Sequence, residues 1–426
     1  MAQQDFPYHP LENRTHLDPL LEQIGDARFV LLGEASHGTS EYYTWRSAIS
    51  KRLIEEKGFS FIAVEGDWPA CYSLNRFVKG YPDAGDSVRE VLQGFDRWPT
   101  WMWGNWEVAA LADWLREYNS TRQSDQKIGF FGLDVYSLWE SLESIITYLE
   151  QNDGVAVGAA RNAFRCFEPY YEDPQAYARA TAFVPQDCEN AVLEMLHKIQ
   201  QNAPSFSADH ESNFNAEQNA LVAVNAEKYY RAMIRGGGSS WNVRDRHMMQ
   251  TLNRLMEFHG PQAKAIVWEH NTHVGDARAT DMARNGMVNV GQLVREEHGR
   301  ENVSIVGFGS YEGSVIAGDE WGAPMEVMTV PKAASGSWER RLHQMGAENK
   351  LIFSKDLRHL PAFEKKIGHR AIGVVYHPEM ERYGNYVPSL LPERYDAFLY
   401  IDQSMALHPL GTKAEANPPD LYPWYY

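Results

Sequence analysis

The sequence predicts an α/β protein with a mainly parallel sheet flanked by helices and a helical insertion covering its cleft. Three observations predict it. Short apolar runs without polar alternation recur along the chain, as strands buried on both faces require. Amphipathic stretches separate these runs, and strand–helix–strand repetition implies parallel pairing. From about residue 158 to 259 the apolar runs stop and helical patterns take over.

In chain order the expected strands are 28–32, 59–64, 127–132, 263–268, 302–307, 371–376 and 397–401. Each is short and rich in β-branched or aromatic residues. Between the first two, the stretch 40–57 carries Tyr43, Ile49 and Leu53 at helical spacing, and 106–119 carries Val108, Leu111 and Leu115 in the same way. Within the strand-free region the clearest helices are 216–234 and 244–258. The run Gly236–Gly238, followed by Ser239 and Ser240, is a hinge or turn between them and too short for an interdomain linker. The chain therefore divides into the first half of an α/β core (1–150), a helical insertion (151–260) and the second half of the core (261–426). No repeat of 20–50 residues and no low-complexity segment appears.

Bulk properties exclude several function classes. With 426 residues, 44% hydrophobic and 23% charged, the chain can build a globular core around a sizeable enclosed cleft. Its formal charge of −17 opposes any general attraction to a phosphate backbone, so nucleic acid is not the expected partner. The first twenty residues have neither a basic start nor a long apolar run, and no window approaches the roughly 18 apolar residues of a membrane span, so the expected location is the cytoplasm. Cys71, Cys166 and Cys188 are too few and too scattered for a disulfide framework or a zinc cluster and read as reduced structural thiols. A small molecule is the expected partner; the oligomeric state is open. Aromatic residues make up 12% of the chain. They serve either a core or the wall of a site for a bulky ligand.

The chemistry gathers where expected strands end. Residues 29–32 run into Gly33, Glu34, Ala35, Ser36, His37 and Gly38; 61–64 into Glu65, Gly66 and Asp67; 130–133 into Asp134; and 266–268 into Glu269, His270, Asn271, Thr272 and His273. In a parallel sheet these carboxyl ends share one edge, which is where open α/β sheets bind ligands. Helix caps explain one acidic residue at a strand end, but not a set that includes three histidines. His37 is the first candidate, because an imidazole near its ordinary pKa takes a proton from water at neutral pH. Glu34 is close enough to orient it. Arg46, on the following helix, can turn back to bind a carboxylate or stabilise an oxyanion. His270 and His273 can be general acids, oxyanion donors or metal ligands. Trp98, Trp101, Trp103 and Trp106, with Tyr42, Tyr43, Tyr229 and Tyr230, either wall a cleft or pack the core. Arg244 and Asp245 either bind substrate or form a surface ion pair.

Other chemistries have weaker signatures. No HExxH occurs, so a metal centre would need ligands gathered from several strands. No GxSxG elbow occurs, Gly307–Phe308–Gly309–Ser310 being the nearest approach, and no GxGxxG or GxxxxGK[ST] phosphate loop is present.

Taken in order, these residues resemble the erythromycin esterase-like family. The run 31–41, LLGEASHGTSE, is similar to its GEA[ST]HG opening. Arg46, Val64–Asp67 (VEGD), Gly132–Asp134 (GLD), Trp268–Gly275 (WEHNTHVG), Val375–Glu379 (VYHPE) and Arg394–Ala397 (RYDA) continue the likeness from about Leu20 to Leu410. Glu269 stands where the resemblance leads one to expect a small residue. The resemblance implies an α/β core with a helical portion over the cleft, and metal-independent, cofactor-free hydrolysis of a macrolide lactone, an antibiotic-resistance activity. It makes His37 the general base, with Glu34, Arg46, Glu65, His270 and His273 completing the active site. Asp134, Arg244, Trp103 and Tyr229 are the expected substrate contacts. The alternatives are a metal-dependent hydrolase or lyase acting on another natural product, and a non-catalytic binder of a small ligand or haem through His270 or His273.

Overall fold

The computed structural model describes residues 6–152, 156–170, 173–181, 188–202, 210–234, 236, 238–358, 360 and 364–411. Their strands, in chain order, are β1 (His9–Pro10), β2 (Phe29–Leu32), β3 (Phe61–Asp67), β4 (Gly129–Asp134), β5 (Ala265–Trp268), β6 (Val303–Ala317), β7 (Glu326–Val330), β8 (Lys350–Phe353), β9 (Ile367–Arg370), β10 (Tyr386–Ser389) and β11 (Ala397–Ser404). The main sheet has the order β1-β8-β11-β6-β2-β5-β3-β4, with β7 paired to the far half of β6. From β11 to β4 the strands run parallel, while β8 is antiparallel to β11 and β1 to β8. This is the mainly parallel, helix-flanked α/β architecture the sequence predicts.

The two faces of the sheet are packed by different helices because alternate strand residues point to opposite sides. Val30, Leu32, Ile62, Val64 and Trp268 share one core with Tyr43, Ile49 and Leu53 of the Ser40–Lys57 helix and Leu111 and Leu115 of the Trp106–Ser120 helix. Leu31, Ala63, Phe131 and Val267 share the other with Met248, Leu252 and Leu255 of the Ser239–His259 helix and Val290 and Val294 of the Val290–His298 helix. The chain leaving β2 thus passes to one face and the chain leaving β5 to the other. Adjacent parallel strands whose connections diverge open a crevice at their carboxyl ends. Here that crevice lies between the loops carrying His37 and His270.

Local signals start and stop these helices. Asn105 caps the Trp106–Ser120 helix by accepting from the Val108 N–H, and Asn289 does the same for Gln292. The Ser40–Lys57 helix ends at Gly58, whose φ of 68° lies in the left-handed region. Between β4 and β5 the described residues form helices and no strand. Leu138–Asn152, Val157–Phe167, Glu189–Asn202 and His210–Met233 enclose a separate apolar cluster around Leu142, Ala160 and Val192. Of the glycine run, Gly236 has a φ of 66° between two helices; Gly237 is outside the described residues. No helix among the described residues is long and apolar enough to cross a membrane.

Three expectations are corrected. Residues 371–376 do not form a strand of the sheet. They cross its carboxyl edge instead, where Ile372 N–H donates to the Ala35 carbonyl at 2.8 Å and Gly318 N–H to the Val374 carbonyl at 2.9 Å. The apolar run is there, but its backbone bonds to loops while Ile372 and Tyr376 pack on Val315 and Ala317 of β6 and Val330 of β7. The strand expected at 302–307 continues to Ala317, because its second half is paired by β7 and β11. Cys166 and Cys188 are joined in a disulfide, with Cα atoms 5.9 Å apart; Cys71 is the buried free thiol. Packing of the Val157–Phe167 and Glu189–Asn202 helices brings together two cysteines that spacing alone cannot pair.

Candidate active site

His37 is held by a relay of buried charges. Its Nδ1 lies 2.9 Å from Glu34 Oε1, and the other oxygen of Glu34 accepts from Arg46 Nη2 at 2.6 Å. Arg46 is fully buried, its guanidinium 4.4 Å from the Tyr43 ring centre and 4.7 Å from that of Trp268. It binds the Glu34 carboxylate and is not among the residues that line the cavity. Because the carboxylate accepts the Nδ1 proton, the Nε2 lone pair is left for the cavity, where it has no hydrogen-bond partner among the described residues. Burial pushes the imidazole pKa down, but the Glu34 hydrogen bond and the charge of Glu65 outweigh it and hold it above 6.5.

The His37 loop is stitched in place. The Gly38 carbonyl accepts from both Ile316 and Leu407 N–H at 3.0 Å, and a Cβ at position 38 would sit 1.9 Å from the Ile316 carbonyl oxygen. Only glycine allows that approach.

Glu65 and Asp134 meet one cation. Arg244 reaches across from the Ser239–His259 helix, donating from Nε to Asp134 Oδ1 at 2.9 Å and from Nη2 to Asp134 Oδ2 at 2.6 Å and Glu65 Oε1 at 2.7 Å. Burial opposes ionisation of both carboxyls, but Arg244, with His273 beside it, holds Glu65 well below the carboxylate range, and Arg244 lowers Asp134. Arg244 Nη1 donates to His273 Nε2 at 3.0 Å, and an arginine can only donate. The His273 ring proton therefore sits on Nδ1, facing Asp245 at 3.0 Å, while Trp241 stacks on the ring at 4.4 Å. Arg244 and Asp245 are thus two arms of the site and not a surface pair. As helix neighbours they point in different directions, one to the cavity and one beneath His273.

His270 lies with its ring centre 5.0 Å from that of His37. Its backbone N–H donates to Glu65 Oε2 at 2.8 Å, and its Nδ1 accepts from the Thr272 N–H at 3.3 Å, which puts the ring proton on Nε2. That buried nitrogen has no partner among the described residues. Burial and the neighbouring His37 charge push the His270 pKa well down, so the ring stays neutral. Glu269 is wholly buried and neither oxygen is hydrogen-bonded among the described residues; burial and the charges of Glu65 and Asp245 keep it protonated.

A cavity of about 390 Å³ opens beside these groups, lined by His37, Glu65, Trp103, Asp134, Tyr136 and Arg244, and towards its mouth by Asp67, Arg97, Trp98, Glu140 and Trp321. Of the expected site residues, Glu34, Arg46, His270 and His273 stand behind this lining. Trp103 is in it, donating from Nε1 to the Glu65 carbonyl at 3.1 Å. Tyr229 is not, and reaches the cavity through Tyr136, its ring 5.1 Å from that ring's centre and its hydroxyl 3.4 Å from the Tyr136 hydroxyl. Trp101, Trp106, Tyr42 and Tyr43 are core residues, whereas Trp98 is a wall residue, 4.7 Å from Trp321. Tyr136, Trp241 and Trp321 have no sequence signal beyond being aromatic. Among the described residues no group of three or more His, Cys, Asp or Glu side chains is disposed to hold a metal ion. His37 is instead tied to a carboxylate, His270 to a hydroxyl, and His273 to a carboxylate and a guanidinium.

The family model for erythromycin esterase matches residues 54–404. It begins after the His37 loop and Arg46 and includes Glu65, Asp134, Arg244, His270 and His273. The chain is 24% identical to erythromycin esterase type II of Escherichia coli, over 93% of this chain and 94% of the relative. Two solved structures share the fold closely: a protein from Bacillus cereus, with a TM-score of 0.77 at 20% identity, covering 94% of this chain and 96% of that one, and a succinoglycan biosynthesis protein, with a TM-score of 0.74 at 21% identity, covering 94% and 95%. A variant of the erythromycin esterase EreC in its open conformation superimposes with a TM-score of 0.68 at 15% identity, covering 94% and 98%. With the family model spanning most of its length, the chain belongs to the erythromycin esterase family.

Proposed function

We propose that the protein hydrolyses an ester or lactone by direct attack of a water activated by His37. The observation that carries this reading is the Arg46–Glu34–His37 relay, which ends in an unpartnered Nε2 at the cavity wall. A carboxylate on Nδ1 fixes the tautomer and stabilises the imidazolium that forms on proton transfer, the logic of a hydrolytic triad with water in place of serine. Water oxygen bonds to the acyl carbon while its proton passes to Nε2. The carbon–oxygen bond to the leaving alkoxide then breaks, and that alkoxide takes the proton back. The Arg244 charge in the cavity lining stabilises the oxyanion. Glu65 and Asp134 hold Arg244 in place, and His273 braces it from the other side.

Family membership makes a macrolide the first substrate to try. Incubation of EDTA-treated protein with macrolides and simple esters, followed by mass spectrometry, is expected to show products heavier by one water. Dependence on added divalent metal would replace the direct-water scheme, and absence of turnover across the panel would sink it.

The pH profile follows from the relay. His37 must be neutral to accept a proton, and its pKa is raised, so kcat/KM is expected to rise with pH through a midpoint above 6.5. A rising limb with its midpoint below 6.5 would point to a different base.

A further inference from the structure

Asn271 lies between His270 and His273 but turns away from the cavity and is wholly buried. Its backbone N–H donates to the Glu34 carbonyl at 2.8 Å. Its side-chain Nδ2 donates to the Phe308 carbonyl at 2.6 Å, and its Oδ1 accepts from the Phe308 N–H at 3.3 Å. One residue of the β5 end therefore ties the β2 end to β6. The fit is close on both sides, since a Cβ on Gly33 would lie 2.1 Å from Asn271 Oδ1.

The clamp has its own support, from residues near the end of the chain. Arg394 donates from Nη2 to the Asn271 carbonyl and from Nη1 to Ser389 Oγ, each at 2.8 Å. The second Nδ2 proton of Asn271 meets His369 Nε2 at 3.3 Å. That ring is fixed by Glu339 Oε1 at 2.6 Å and by the Tyr395 hydroxyl at 3.1 Å. Arg394, His369, Tyr395 and Glu339 are all wholly buried and none lines the cavity. Nothing in the water-attack scheme uses them, although Arg394 and Tyr395 open the RYDA run.

We propose that Asn271 is a positioning residue for hydrolysis: braced by Arg394 and His369, it fixes the Glu34 backbone so that the carboxylate stays on His37 Nδ1. The proposal rests on the reading of His37 as the base. Its physical basis is that Gly33, Ala35 and Gly38 are bonded to other segments while the Glu34 carbonyl takes its bond from Asn271, and misplacement of a catalytic group by about 1 Å costs on the order of 100-fold in rate.

The test uses the full chain and two variants, Asn271→Ala and Arg394→Lys. In ligand-free protein the His37 ring is titrated by NMR. Loosening the Glu34 hydrogen bond removes an interaction that favours the imidazolium, so the midpoint is expected to move down in both variants, further in Asn271→Ala. With any hydrolysed substrate, kcat is expected to fall about 10- to 100-fold while KM changes little. Folded variants in which His37 titrates as in the wild type would overturn the proposal. Should Asn271→Ala fail to fold, Arg394→Lys, which keeps the charge and one donor, decides alone. A shifted titration in a protein that hydrolyses nothing would uphold the clamp and reject the hydrolytic reading.

Discussion

Replacing His37 with asparagine is expected to lower kcat by about 10²–10⁴-fold, the usual worth of a general base. Asparagine keeps a donor for Glu34, so the buried Glu34–Arg46 pair retains a hydrogen-bonded neighbour and the fold survives. The loss is therefore expected in kcat, with KM nearly constant, because the imidazole acts on water and not on the substrate's ground state. Steady-state kinetics beside a thermal melt reads both effects. Undiminished turnover in a folded variant would remove His37 from the mechanism.

Arg244→Met should produce the largest change in stability. The guanidinium is the shared counter-ion of Glu65 and Asp134, whose side chains are 4% and 6% exposed. Breaking a buried pair by removing one partner costs about 3–5 kcal/mol, since the remaining charge stays buried without compensation. The sign of the pH dependence follows. In the wild type Glu65 is held below its unfolded pKa, so its contribution is present above the unfolded carboxylate range and is lost as pH falls. Without Arg244 the same burial favours the protonated form, and the folded variant binds more protons than the unfolded chain. The stability gap between wild type and variant is thus expected to narrow on acidification towards about pH 5. Denaturant melts at pH 8 and pH 5 measure it; a gap that is small at pH 8, or that widens on acidification, would show that Arg244 is not the counter-ion described.

Much of this site is legible in the sequence for a simple reason. Buried parallel strands are written as unbroken apolar runs, so the polar residue that ends each run marks the sheet's carboxyl edge, and the register of Leu32 and Val64 with Trp268 does the rest. What stays hidden depends on packing across long separations. Nothing in the run Arg244–Asp245 tells which strand ends it will meet, and a surface pair is the cheaper reading until the helix is docked. Lys350–Phe353, four residues between β1 and β11, carries too few residues to stand out from a loop, whereas 371–376 looks like a strand but bonds its backbone to loops. The disulfide escapes because its closure depends on two helices of the strand-free region packing together. Asn271 escapes because its neighbours draw the eye: between two histidines, an asparagine reads as spacing.

The Gly38 stitch has a consequence for how such a protein can change. A loop whose carbonyl is bonded from two directions, with no room for a methyl group, accepts neither insertion nor drift. Trp98, Arg97 and Trp321 at the cavity mouth belong to segments outside that lock, and Trp321 is 63% exposed. Reaction and appetite are therefore written in separate stretches of chain. A library confined to the mouth can retune what enters while the stitched loop keeps the same chemistry waiting for it.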